Sequence, residues 1–175
     1  QKQEEAMRNF FMFILADGLT HDFEEDMEIS GLPIIAAFQL VDDFKLTGLF
    51  DVILETLNQN QSFYEFDYSG YEEATTLILA HVGVGHLEEL KEMMKTDGFM
   101  PEVYPIVFNA VVQMAVENPS CRLQVLEWVT DVLKSCIEFT IPAMAMDWIV
   151  KSLAQIEAAE LLPMVKNIYK KYSVP

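Results

Sequence analysis

Basic side chains are scarce in this sequence: 11 Lys and Arg stand against 28 Asp and Glu, for a formal net charge of −17. Proteins grip phosphate backbones with Lys- and Arg-rich faces that release counterions. Nucleic-acid binding is therefore not expected, and neither is adhesion to anionic lipid. Cysteine is nearly absent, with only Cys121 and Cys136 in the chain. On one predicted helix their 15 positions of separation span about 22 Å. A disulfide needs Cα atoms within about 7 Å. The pair reads as two small, reduced apolar residues, which points to the cytoplasm.

Long apolar runs are missing too. None approaches the roughly 20 residues that a membrane-spanning helix needs. Residues 10–16, preceded by Arg8, imitate a signal-peptide core, but Glu4 and Glu5 lie upstream and no small-residue cleavage site follows. The chain opens on Gln1 rather than Met, which reads as an N-terminus from which a segment has been removed. At 51% hydrophobic residues, the sequence is too apolar for a disordered segment.

Catalytic signatures are also wanting. There is no Gly-x-Ser-x-Gly elbow and no glycine-rich phosphate cradle. Adjacent carboxylates such as Asp42/Asp43, Glu72/Glu73 and Glu88/Glu89 diverge by about 100° on a helix, so they do not converge on one substrate. His81 and His86 are five apart across a glycine turn, whereas two zinc ligands on one helix sit three or four apart. They read as capping or buried neutral histidines. No cofactor and no metal site is expected. The alternative is a metal-dependent or hydrolytic enzyme whose site is assembled from several helices around His81, His86 and nearby carboxylates.

What the sequence does have is helical periodicity almost throughout. Residues 4–16 carry Met7, Phe10, Phe11, Ile14 and Leu15 on one broad face, and Asp17-Gly18 stops the run. Further helices are predicted from a Ser30 cap to about Val41, over about 47–57, from a Ser69–Glu72 capping box to about Val82, and over 87–95. Others run over about 101–116, from Asn118-Pro119-Ser120 to about Cys136, from Thr140 and Pro142 to about Gln155, and over 157–172. That makes about nine helices with connections of roughly two to six residues, short enough to force antiparallel neighbours.

A repeat lies beneath these helices. Leu79–Leu90 and Leu153–Met164 share an apolar helix end, a small-residue turn and then apolar residues at spacing three. Val41, Val82, Val116 and Ile156 take equivalent places, 41, 34 and 40 residues apart, with Leu46/Leu49 and Leu123/Leu126 following the first and third. Two-helix repeats of the HEAT and armadillo kind have periods of about 40–47 residues. The tetratricopeptide spacing of Trp, Gly, Tyr and Pro is missing. The expected fold is all-α: an α-α superhelix, or HEAT-like solenoid, of about four to five antiparallel helix pairs forming one domain over 1–175.

Residues 71–116, YEEATTLILAHVGVGHLEELKEMMKTDGFMPEVYPIVFNAVVQMAV, resemble the middle of an uncharacterised bacterial family, a domain of unknown function read as HEAT-like. The resemblance extends more weakly over about 34–154. It implies helical repeats and no catalytic residues. Some members end in a cysteine-rich, zinc-binding tail of the SEC-C type, and nothing here matches it, because the last residues are Tyr172-Ser173-Val174-Pro175.

The charge is uneven. Residues 1–90 hold 18 acidic and 3 basic side chains; residues 91–175 hold 10 and 8. Such a half attracts a basic partner. Asp22, Glu24, Glu25 and Asp26 form its densest stretch, without the ordered spacing of an EF-hand. Tyr64, Phe66 and Tyr68, interleaved with Glu65 and Asp67, make an aromatic and acidic segment suited to protein recognition. These seven residues are the candidate partner contacts of a non-enzymatic binding or scaffold module.

Overall fold

The computed structural model describes residues 2–18, 32–57, 68–95, 103–138 and 143–172. They fall into two compact units, Gln1–Gly83 and Val84–Pro175. Among the described residues there are nine α-helices, two short 3-10 turns and no strand. None of these helices is long and apolar enough to cross a membrane.

The first unit holds α1 (Lys2–Gly18), α2 (Leu32–Asp43), α3 (Phe50–Leu57) and α4 (Tyr68–Val82). Each helix packs on its successor or on the next but one: α1 on α2 and α3, and α4 on α2 and α3. Phe11 of α1 meets Phe38 of α2 with ring centroids 5.6 Å apart, both rings fully buried. Arg8 ties α1 to α3 by a fork. Nη1 donates to Asp51 Oδ2 at 2.6 Å, and Nη2 donates to Asp51 Oδ1 at 3.0 Å and to the Gly48 carbonyl at 2.6 Å.

The Arg8 hydrogen bonds hold the Asp51 carboxyl below its ordinary value of 3.8. A carboxyl with a depressed folded-state pKa contributes stability above its ordinary value and loses it as pH falls through the depressed one. Both partners face water, so the contribution is small. Acid titration of stability is therefore expected to lose a component below about pH 4 in Arg8→Met. Urea midpoints measured from pH 6 down to pH 2 check this.

The second unit holds α5 (Leu87–Lys95), α6 (Val103–Glu117), α7 (Arg122–Glu138), α8 (Ala143–Gln155) and α9 (Leu162–Tyr172). A helix that is apolar all round belongs inside. Nine of the 15 residues of α6 are buried, from Val103 to Ala115, and α6 packs against α5, α7 and α8. In α7 the buried set Val125, Leu126, Trp128, Val129, Val132 and Leu133 follows the three-and-four spacing of one helical stripe, with Gln124, Glu127 and Lys134 on the other side. α7 in turn packs against α5 and α9. Ser152 of α8 is buried, and its hydroxyl donates to Asn109 Oδ1 of α6.

Two helix ends close in the same way. Lys45 and Glu157 take the left-handed conformation, with φ of 50° and 49°. The Lys45 and Leu46 amides bond back to the Asp42 and Val41 carbonyls; those of Glu157 and Ala158 bond to Ala154 and Leu153. This is the Schellman arrangement, in which the residue beyond the left-handed one packs its apolar side chain onto the last turn. Leu46 and Val41 are both buried, as are Ala158 and Leu153, in keeping with the apolar contact that often accompanies it.

In the geometry of these two helix ends Val41 takes the place of Leu153, whereas the sequence pattern aligned it with Ile156. Val116 and Leu123 are 44% and 68% exposed, so neither occupies a core position. Ala115 and Val125 are the buried residues on either side of that turn. Helix starts shift as well. α7 and α9 begin only after 3-10 turns at Pro119–Cys121 and Ala159–Leu161, and Cys121 therefore lies in a turn rather than in a helix. α3 begins at Phe50, three residues later than expected. Ser69 sits inside α4 instead of capping it. Asn118 does cap its turn: Oδ1 accepts from the Ser120 amide at 3.2 Å and from the Ser120 hydroxyl at 2.6 Å.

Candidate functional site

Of the sequence-predicted partner contacts, Asp22, Glu24, Glu25, Asp26, Tyr64 and Phe66 lie outside the described residues, as does the side chain of Tyr68, the first residue of α4. Among the described residues, charged and aromatic side chains converge instead along a groove between α5 and α7.

The start of α5 explains one wall. His86 precedes the helix, and its carbonyl accepts the Leu90 amide. His86 Nδ1 lies 3.1 Å from Glu89 Oε1, a side-chain contact across the first turn. The Glu89 carboxyl sits below its ordinary range, held by its own backbone amide and then by His86. Glu88 and Glu89 occupy the first turn and Lys95 the last, each sign at the end where the helix dipole favours it. Leu90, Met93 and Met94 are buried, so Glu88 and Lys91 are left on the groove side.

The other wall is α7, and one side chain joins the two. Trp128 is 3% exposed; its indole N–H donates to the Leu87 carbonyl at 2.8 Å, and its ring lies 5.8 Å from that of Phe108. The groove above it has a volume of about 380 Å³. Gln124, Glu127 and Asp131 of α7 line it opposite Glu88 and Lys91.

Lys91 sits deep, with a side chain only 13% exposed. Its Nζ lies 2.7 Å from Glu88 Oε1 and 3.7 Å from Asp131 Oδ2, and the Glu88 hydrogen bond raises its pKa against the opposing effect of burial. Asp131 also meets Lys134 at 3.3 Å. Three carboxylates and one shielded ammonium therefore line the groove, which leaves it acidic.

No group of three or more His, Cys, Asp or Glu among the described residues is placed to hold a metal ion. His81 Nε2 and Thr75 Oγ1 on α4 are buried with no hydrogen-bond partner among the described residues. The Cys121 sulfur lies 3.0 Å from the Asn118 carbonyl and 3.2 Å from that of Met114, and burial pushes its pKa up. A raised pKa makes a thiol less nucleophilic at neutral pH.

Sequence reasoning missed the groove. Glu127 and Asp131 at spacing four, and Glu88 and Lys91 at spacing three, mark two charged helix faces. Nothing in either spacing says that those faces adjoin.

A family model matches residues 3–175, almost the whole chain. The chain belongs to the family described as "Protein of unknown function (DUF1186)". The resemblance carried by residues 71–116 thus extends over both units. No curated protein matches the chain, and no solved structure does.

Proposed function

We propose that this chain is a non-enzymatic binding or scaffold module, built as HEAT-like antiparallel helix pairs and acting as one domain. The next-but-one packing supports the repeat reading. In the first unit α1 meets α3 and α2 meets α4; in the second α5, α7 and α9 follow one another, as do α6 and α8. Stacked helix pairs interleave in this way, because each pair covers an apolar side that it cannot bury alone. Binding is proposed partly by analogy with such architectures.

The acidic α5/α7 groove carries the reading. It offers carboxylates from two facing helices, Glu88 on one side and Glu127 and Asp131 on the other, a chemistry suited to Lys- or Arg-bearing segments of a basic or amphipathic protein partner. Lys91 is the internal cation whose place such a side chain would share. The acidic stretch with Asp22, Glu24, Glu25 and Asp26 adds long-range attraction of the same sign.

An amphipathic peptide alternating Leu with Lys and Arg serves as the probe, titrated calorimetrically at low salt. Glu127→Lys combined with Glu88→Gln is expected to weaken its binding about tenfold, close to 1.4 kcal/mol, while the melting curve stays in place. Unchanged affinity in that variant would remove the groove as the docking place.

A further inference from the structure

We draw no further inference here: the strongest candidate, the exposed apolar face of α1 bearing Phe10 and Phe13, carries nothing because nothing in the structure shows what covers it.

Discussion

Trp128→Ala is expected to destabilise the second unit by about 3–5 kcal/mol, the usual range for truncating a large buried aromatic ring. Three effects add up there. The ring is almost entirely buried, so its apolar transfer energy is lost. Its tilted contact with Phe108 disappears. The Leu87 carbonyl loses the indole donor that holds the start of α5 against α7. Trp128→Phe separates these effects in part, because it keeps an aromatic ring against Phe108 and removes the hydrogen bond. That change is expected to cost about 1 kcal/mol. Urea unfolding followed by far-ultraviolet circular dichroism measures both. An alanine variant as stable as the parent would mean that α5 and α7 are not joined through this ring.

The second large effect is expected at Arg122, where α7 begins. Its guanidinium donates from Nε and Nη2 to the Ile156 carbonyl, each at 3.2 Å, and from Nη2 to the Glu157 carbonyl at 3.4 Å. Nη2 also pairs with Glu160 at 3.0 Å, and the Glu160 carboxyl is held below its ordinary range by its own backbone amide and then by Arg122. The acceptors sit where α8 ends, beside the left-handed Glu157, where helix carbonyls have run out of intrahelical donors. Hydrogen bonds from a charged donor are worth about 1.5–3 kcal/mol. The site is partly exposed, so Arg122→Ala is expected to cost about 2 kcal/mol. Arg122→Lys should recover less than half of that, because an ammonium cannot reproduce the planar fork. Glu160→Gln should matter little, since exposed ion pairs contribute about 0–1 kcal/mol. Chemical denaturation of the three variants gives the order directly.

These two residues also mark where the sequence stopped being readable. The existence of the helices was legible because apolar spacing repeats within each one. The α6 segment, with nine buried residues, and the α7 stripe are the clearest cases. The family resemblance was legible for the same reason. Boundaries were harder wherever the chain passes through a 3-10 turn, since Pro119–Cys121 reads as the start of a helix and Ala159–Leu161 as its interior, without α-helical hydrogen bonding in either.

The expected core places of Val116 and Leu123 failed on a different point. Val116 and Leu123 are apolar and lie at plausible distances from their supposed equivalents. Burial depends on helical phase rather than residue type, and the phase resets at each turn. Lys45 and Glu157 gave no warning, because left-handed helix ends usually advertise themselves with glycine. Arg122 and Trp128 have backbone carbonyl partners 34 and 41 residues away. A carbonyl is present at every position, so such contacts leave no trace in composition or spacing. The groove was hidden for a related reason: its carboxylates come from two helices whose adjacency is a property of packing alone.

Whether helices cover one another at every second position is best tested between α6 and α8. In a chain with Cys121 and Cys136 replaced by alanine, Asn109→Cys and Ser152→Cys place two thiols where the native side chains share a hydrogen bond. Mild oxidation, read by intact mass and by non-reducing electrophoresis, is expected to give an intramolecular disulfide in most molecules, since packed neighbouring helices hold the two thiols within reach of each other. Two thiols that remain fully open to alkylation after oxidation, in a protein that is still helical, would contradict the stacking.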